Sequence, residues 1–158
     1  MSSCVVLQVE DVWGVSATLA GVETMRIAGV VVEAMVAHAR REAPQECCGL
    51  LVGTGNIVYR AVPTRNAAAS RTRYLIDPSE HFALIRELRG TPHDIIGAYH
   101  SHPASAAIPS PTDIAGAWSA DFVYVIVSVE NEARPDVRAF MIGNGNSIPV
   151  GLLIDSRP

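Results

Sequence analysis

Two histidines and an aspartate in one short stretch of the sequence have the residue types and spacing of a metal site. His100 and His102 end an apolar run that predicts a strand, and Asp113 follows eleven residues after His102. Because alternate residues of a strand point to one face, both imidazoles can reach one ion, and the loop can bring back a carboxylate. Two imidazoles and one carboxylate leave a fourth position for water, as in a catalytic zinc site rather than a closed structural one.

A zinc ion held in this way has a definite chemistry. It lowers the pKa of its water to about 7 and polarises a carbonyl group. The segment Ser110-Pro111-Thr112-Asp113 also has the pattern of a helix start, with serine as N-cap, proline at the first helical position and an acid at the third. The two interpretations are compatible, because a helix N-terminus can carry Ser110 and Asp113 to the metal while it is capped.

The complete spacing resembles the signature of a known family. His-x-His, seven residues, Ser, two residues and Asp matches, without a gap, the JAMM motif of the MPN-plus metalloproteases. That family places a glutamate before a Cys-Gly-Leu-Leu strand, and the segment from Glu46 to Gly53 is similar. The resemblance covers about residues 25–154. Glu42 is the near rival of Glu46, but it falls on the preceding predicted helix.

The resemblance implies a role for each of these residues. One Zn²⁺ per chain is bound by the three residues of the motif, His100, His102 and Asp113. Glu46 takes a proton from the zinc water and passes it to the leaving amine. Ser110 donates a hydrogen bond to the oxyanion. The implied substrate is an amide at the C-terminal tail of a ubiquitin-like or sulfur-carrier β-grasp protein, cleaved as a peptide or an isopeptide bond.

Three other functions compete with this interpretation. A non-catalytic scaffold of the MPN-minus type would have lost metal ligands, and here all of them are present. A zinc deaminase would need a Cys-x-x-Cys pair, which the sequence lacks. A thiol peptidase would need Cys47 or Cys48 activated by a histidine, whereas a cysteine in an apolar strand is by default buried and inert. The zinc peptidase is therefore the leading hypothesis.

Further residues have no ligand spacing and are interpreted as structural. His38, His81 and His93 are expected to be packed or partly exposed, and Trp118 is expected in the core. Arg71 and Arg73 precede Tyr74 in the chain, where they either line a groove for an extended peptide or belong to a solvated loop; the solvated loop is favoured.

The elements that must position the site follow from periodicity and turn residues. Helices are predicted over residues 28–41, 78–89 and 110–120, and strands over 25–27, 47–52, 56–62, 94–100, 122–129, 137–142 and 148–154. The mixture predicts an α/β (α+β) domain over residues 24–158, with helices packed on the sheet. The resemblance implies an MPN-type, cytidine-deaminase-like mixed sheet. Residues 1–23 are interpreted as an N-terminal extension that adds an edge strand or is mobile.

Composition limits the other possibilities. The 158 residues suffice for one buried core. Apolar residues make up 49% of the chain and charged residues 18%, which is a globular balance. All twelve basic residues are arginine, which excludes lysine chemistry, and a net charge of −4 without a basic cluster argues against nucleic acid. Three cysteines, no signal peptide and no membrane-length apolar run predict a cytoplasmic protein. The oligomeric state stays open.

Overall fold

The computed structural model describes residues 24–155 of the chain, which form a mixed α/β domain. The strands are β1 (Thr24–Ala28), β2 (Cys48–Thr54), β3 (Ile57–Thr64), β4 (Asp94–His102), β5 (Val123–Ser128), β6 (Asp136–Gly143) and β7 (Asn146–Asp155). The helices are α1 (Gly29–Glu42), α2 (Pro78–Leu88) and α3 (Pro111–Gly116). The predicted fold class is confirmed. The extension predicted over residues 1–23 lies outside the described residues.

The seven strands close into a barrel in the order β1-β3-β2-β4-β5-β6-β7, with β7 returning to β1. The pairs β2–β3 and β2–β4 are antiparallel, as are β5–β6 and β6–β7, whereas β4–β5 and both pairs made by β1 are parallel. The predicted hairpin of β2 and β3 is present. The parallel return of β7 to β1 is a feature that the strand pattern alone did not predict.

Helix α1 covers one face of the sheet. Its buried residues include Met35 and Ala39, which belong to one apolar cluster with Val125 and Val127 of β5. The opposite face carries a second cluster that includes Leu84 of α2. Because β4 and β5 lie between these two clusters, they are buried on both faces, which explains their long runs of apolar residues. None of the helices in the described part is long and apolar enough to cross a membrane.

Gly49 in β2 allows a close approach of the neighbouring strand. A Cβ atom at this position would lie 2.3 Å from the ring of Tyr99 and 2.4 Å from the carbonyl oxygen of Val62. The phenol ring of Tyr99 therefore lies directly on the backbone of Gly49. The hydroxyl of Tyr99 lies 2.9 Å from Nδ1 of His38 and forms a hydrogen bond with it. This hydrogen bond joins α1 to β4, the strand that carries the two histidines of the motif, on the face opposite to those histidines.

Helix α3 is shorter than the prediction of residues 110–120. It ends at Gly116, because the hydroxyl of Tyr124 in β5 accepts hydrogen bonds from the amides of Trp118 and Ser119 and donates one to the carbonyl of Ser119. These contacts replace the helical partners of that segment. The expectation that Trp118 lies in the core is wrong, since its side chain is 47% exposed.

Candidate metal centre

The last residues of β4 place both imidazoles on the same face of the sheet. His100 and His102 are buried, and they lie on the face that also carries Cys48 and Ile126. The ring of Tyr74 stacks on that of His100 with centroids 4.3 Å apart. The alternation expected from the sequence therefore holds, and the two Nε2 atoms lie 3.1 Å apart.

The loop after β4 and the start of α3 bring Asp113 to the same point. Its Oδ1 lies 3.2 Å from Nε2 of His100, and its Oδ2 lies 3.2 Å from Nε2 of His102. Ser110 and Asp113 form a capping box: the Ser110 amide donates to Oδ2 at 2.7 Å, and the Ser110 hydroxyl accepts from the Asp113 amide at 3.1 Å. Asp113 therefore belongs both to the helix cap and to the cluster with the two histidines, which the sequence pattern allowed.

The hydrogen bonding of His102 decides which of its two ring nitrogens carries the proton. Its Nδ1 is 2.8 Å from the carbonyl oxygen of Ala106. Because a carbonyl oxygen can only accept, Nδ1 carries the proton. In the neutral ring, Nε2 of His102 then carries a lone pair, and it faces Oδ2 of Asp113. Electron-rich atoms that converge in this way need a cation between them, either a proton or a metal ion.

The residues present fit a zinc ion. Ligand atoms about 2.0–2.1 Å from zinc at tetrahedral angles lie about 3.3 Å apart. The observed separations of 3.1, 3.2 and 3.2 Å are close to that value. The hydrogen bond from Nδ1 of His102 to a carbonyl is the usual support of a metal-binding histidine. His100, His102 and Asp113 are the one group in the described residues with this arrangement.

The surroundings set the charge of each candidate ligand. Burial opposes the charge on Asp113, but hydrogen bonds with the two imidazoles and with the Ser110 amide outweigh it and hold the pKa of this carboxyl well below its usual range. Complete burial lowers the pKa of His100. Burial also acts against charge on His102, yet its contacts with Asp113 and Ala106 raise its pKa overall. Asp113 is therefore an anion in this site.

Glu46 lies just before β2, across from the end of β4. Its side chain is buried, with 5% exposed, and its Oε2 has no hydrogen-bond partner in the described part of the chain. The pKa of Glu46 is raised to about 7, mainly by burial; the charge of His102 opposes this rise, and the charge of Asp113 adds to it. A buried carboxyl group that titrates near neutral pH is suited to taking up and giving back a proton. Glu42, its rival in sequence, ends α1 and is partly exposed.

Ser101, between the two histidines, is a site residue that the sequence reasoning missed. Cys48 pairs with His100 in the antiparallel register, so Cys47 lies opposite Ser101. The Ser101 amide donates to the Cys47 carbonyl at 3.0 Å, and the Cys47 amide donates to the Ser101 hydroxyl at 2.8 Å. The Ser101 hydroxyl thus takes the place of a backbone acceptor where β2 begins. It holds Cys47, the residue next to Glu46, in position. The one feature of the sequence that could have indicated this residue is its position between the two histidines, since it carries a hydroxyl group there.

Asn66 is a second residue that the sequence reasoning missed. Its Nδ2 donates to the carbonyls of Glu46 and Arg73, both at 3.0 Å, and its Oδ1 accepts from the amides of Ala68 and Leu75, also at 3.0 Å. All four hydrogen-bonding positions of the amide are used. One side chain therefore holds the loop over residues 66–77 and joins it to the backbone of Glu46.

The cysteines beside Glu46 are not activated. Cys47 and Cys48 are buried free thiols. Burial raises the pKa of Cys47 to about 12 and that of Cys48 to about 11, so neither is a thiolate near neutral pH. Within residues 24–155, this argues against a thiol peptidase that uses Cys47 or Cys48.

Two recesses are bordered by different parts of the loop over residues 66–77. The apolar groove has a volume of about 390 Å³, borders Asp113, and is lined by Arg73, Tyr74, Leu75, His81, Phe82, Gly116 and Trp118 among others. The polar recess has a volume of about 500 Å³, borders Glu46, and is lined by His38, Glu42, Gln45, Arg65, Ala67 and Glu80 among others. Asp113 and Glu46 therefore border two recesses of different polarity.

The other residues considered from the sequence take different places. His38 is buried against Tyr99, and His93 lies beside Tyr59 outside the candidate site, as expected for structural residues. His81 lines the apolar groove, where its ring packs edge-on against Trp118. Arg73 lines the same groove.

The fold and the cluster define an α/β barrel domain with a buried site of two histidines and one carboxylate. The family model described as prokaryotic homologs of the JAB domain matches residues 29–143. The chain therefore belongs to this family of JAB/MPN domains, as the sequence motif predicted.

Named relatives and solved structures agree with this assignment. The CysO-cysteine peptidase of Mycobacterium tuberculosis is 38% identical over 117 residues, 73% of this chain and 80% of its own. A probable TtuB-protein conjugate cleaving protease of Thermus thermophilus is 36% identical over 119 residues, 74% of this chain and 75% of its own. A solution structure from Desulfitobacterium hafniense has a TM-score of 0.78 at 29% identity, over 84% of this chain and 94% of that one. A JAB1/MPN domain protein from Archaeoglobus fulgidus shares the fold, with a TM-score of 0.51 at 17% identity, over 82% of this chain and 98% of that one.

Proposed function

We propose that residues 24–158 form a zinc-dependent peptidase that hydrolyses an amide bond at the C-terminal tail of a ubiquitin-like or sulfur-carrier protein. The observation that carries the proposal is the convergence of His100, His102 and Asp113 beside a buried carboxyl group, Glu46, with an unpartnered oxygen. The names of the relatives support it, since one refers to a CysO-cysteine peptidase and another to the cleavage of a TtuB-protein conjugate.

The three motif residues would hold the metal through Nε2 of each histidine and a carboxylate oxygen of Asp113. When bound, zinc supplies Lewis acidity that makes water more acidic and a carbonyl carbon more electrophilic. The low pKa of Asp113 keeps this ligand ionised over the whole working range of pH. The capping contacts with Ser110 hold its carboxylate in place before the metal arrives.

Glu46 and Ser110 would do the remaining chemistry. The Glu46 carboxylate takes a proton from the attacking water as the C–O bond forms, and it returns that proton to the amide nitrogen as the C–N bond breaks. The products are a carboxylic acid on the tail and a free amine. Ser110 uses its hydroxyl oxygen to accept from Asp113, which leaves its proton for the substrate oxygen as negative charge develops there.

The apolar groove is suited to the acyl half of the substrate. It borders Asp113, and its exposed side chains include Leu75, Phe82 and Trp118. An extended tail that ends in small residues can follow such a groove to the metal while its larger apolar residues contact these side chains. Arg73 also lines this groove, which supports for this arginine the alternative that it contacts an extended peptide.

The test combines metal content with one substitution. Elemental mass spectrometry of the purified protein is expected to find about one zinc per chain. Glu46→Gln is expected to keep that zinc and to lose turnover of a tail-amide substrate by at least about a hundredfold, because an amide side chain cannot accept the proton. Full activity in Glu46→Gln would refute the assignment of the base. A protein that takes up no zinc would favour the non-catalytic scaffold.

A further inference from the structure

The two histidines of the cluster are held in different ways. Nδ1 of His102 donates to the carbonyl oxygen of Ala106 at 2.8 Å. Nδ1 of His100 is buried and has no hydrogen-bond partner within residues 24–155. A metal-binding histidine usually donates its second N–H to an oxygen, which fixes the orientation of the ring. Within the described residues, the ring of His100 is therefore oriented by another kind of contact.

The neighbours of His100 in the sheet offer its Nδ1 no strong acceptor. Cys48 of β2 and Ile126 of β5 lie opposite His100 in the two strand pairs, and both belong to the apolar cluster on that face. The Cys48 thiol lies 3.5 Å from the hydroxyl of Thr64 and 3.7 Å from the carbonyl oxygen of Arg65. The side chain of Ile126 has no polar atom. Both flanks of the imidazole are thus unsuited to a hydrogen bond.

The ring of Tyr74 contacts His100 instead. The two rings are stacked, with centroids 4.3 Å apart and planes 17° from parallel. Because stacked rings keep this contact only while their planes stay parallel, the phenol ring restrains the plane of the imidazole. The direction of Nε2 of His100, which lies 3.2 Å from Oδ1 of Asp113, depends on that plane.

The backbone on both sides of Tyr74 is itself held in place. The carbonyl of Arg73 accepts from Nδ2 of Asn66, and the amide of Leu75 donates to Oδ1 of the same side chain, both at 3.0 Å. The carbonyl of Leu75 also accepts from the amide of Ala67 at 2.8 Å. The protein thus fixes the position of Tyr74 through its own hydrogen bonds, so this ring can restrain another group.

We propose that Tyr74 is a positioning residue for the metal, and that its ring holds the imidazole of His100 in the orientation that binds zinc. The stack takes the role that the hydrogen bond to Ala106 has for His102. The ring carries this role rather than the hydroxyl, because the contact joins two ring faces. The inference rests on the metal centre of the proposed function and adds a residue to it.

The zinc affinity of the full chain tests this role without any substrate. The protein is titrated with zinc in competition with a chelator of known affinity, and circular dichroism verifies that each variant is folded. Tyr74→Phe keeps the ring and should bind zinc within about twofold of wild type. Tyr74→Leu keeps an apolar side chain against the cluster that includes Leu84 but removes the ring. It should weaken zinc binding at least about tenfold, as the loss of a group that supports a metal ligand does.

Tyr59→Leu is the matched control. Tyr59 lies edge-on against His93, outside the candidate site, with ring centroids 5.1 Å apart. The same substitution at this second pair of a tyrosine and a histidine should leave the zinc affinity unchanged. An equal loss of affinity in Tyr59→Leu and Tyr74→Leu would overturn the proposal, since the effect would then be a general one of lost aromatic packing.

The other outcomes separate this inference from the proposed function. Zinc binding by Tyr74→Leu within about twofold of wild type would refute the role of Tyr74 and keep the metal centre. An equal loss in Tyr74→Phe would assign the effect to the hydroxyl and would also refute the proposal. A wild-type chain that takes up no zinc would refute the metal centre and, with it, the role of Tyr74.

NMR of the zinc-loaded wild type supplies a test that does not depend on the folding of Tyr74→Leu. Protons over the face of an aromatic ring are shielded, so the ring protons of His100 should resonate upfield of those of His102. Tyr74→Phe should keep this shift. Ring protons of His100 without an upfield shift would show that the stack is absent when zinc is bound, which would overturn the proposal.

Discussion

Two carboxyl groups of one site differ in charge because they differ in hydrogen bonding. Asp113 accepts from the Ser110 amide and lies against two imidazoles, which hold its pKa low. Glu46 is equally buried, but its Oε2 has no partner in the described residues, and burial raises its pKa to about 7. A pair of carboxyls whose environments separate their pKa values is a sign of divided roles, one a fixed anion and the other a proton carrier.

The raised pKa of Glu46 predicts how the stability of the metal-free protein depends on pH. The folded pKa of about 7 lies above the ordinary value of 4.5, so between these values the folded state binds more protons than the unfolded state. The free energy of unfolding must therefore fall as pH rises from about 4.5 to 7. Glu46→Gln removes this loss and should be more stable than wild type at pH 8 by on the order of 1–3 kcal/mol.

Urea unfolding in the presence of a chelator, at pH 8 and at pH 4.5, measures the difference. At pH 4.5 the two proteins should differ little, because Glu46 is then protonated in the folded state and resembles glutamine. Glu42→Gln is the control, since Glu42 is partly exposed at the end of α1. The same stability difference for Glu46→Gln at both pH values would contradict the prediction.

The residues that could be predicted from the sequence are those whose role depends on local geometry. His100 and His102 share a face because a strand alternates, and Asp113 sits at a helix start that its own neighbours specify. Ser101 and Asn66 could not be found in this way. Their roles depend on which segment lies opposite them, and the register between β2 and β4 is a property of the folded chain.

At the scale of elements, the junction of β2 with β4 decides where Glu46 lies. The Ser101 hydroxyl is the acceptor for the amide of Cys47, so the chain that carries Glu46 enters the sheet along a path set by one side chain. Ser101 is fully buried, and its loss would leave this amide without a partner. An unsatisfied buried amide costs about 1–3 kcal/mol, which is enough to displace the segment.

Ser101→Ala is therefore expected to act on turnover rather than on the metal. We expect kcat to fall about tenfold to a hundredfold, because a small displacement of a catalytic group has effects of this size, with KM and zinc content close to wild type. Ser101→Thr keeps the hydroxyl and should restore most of the activity. Loss of zinc in Ser101→Ala, or an equal loss of activity in the threonine variant, would show that the residue serves only packing.

Element boundaries show where local patterns are overruled by tertiary contacts. The pattern after Ser110 predicts a helix to residue 120, yet the hydroxyl of Tyr124 in β5 takes the amides of Trp118 and Ser119 and ends α3 at Gly116. The same contacts leave Trp118 partly exposed at the apolar groove, where the sequence had predicted a core residue. Tyr124 therefore decides both where α3 ends and how exposed Trp118 is, and a pattern read from the residues of the helix alone does not include it.

At the scale of the whole molecule, closure of the barrel makes the ends of the described chain interdependent. All of β1 pairs in parallel with β7, from Thr24 opposite Gly151 to Ala28 opposite Asp155. Helix α1 follows β1 directly, and the α1 face of the sheet also includes the buried Val150 of β7. The family match ends at residue 143, before β7 begins. The matched region is therefore smaller than the unit that these contacts hold together.

This dependence predicts different fates for two truncated chains. A chain of residues 24–158 should unfold in one cooperative transition, with a free energy of unfolding within about 1 kcal/mol of the full chain, because the seven strands close on one another. A chain of residues 24–143 keeps every candidate site residue but loses β7, which exposes one edge each of β1 and β6. It should show no cooperative transition and bind no zinc. Urea unfolding followed by circular dichroism compares them, and a cooperative 24–143 chain would show that closure contributes little. A 24–158 chain that fails to fold would instead place the domain boundary before residue 24.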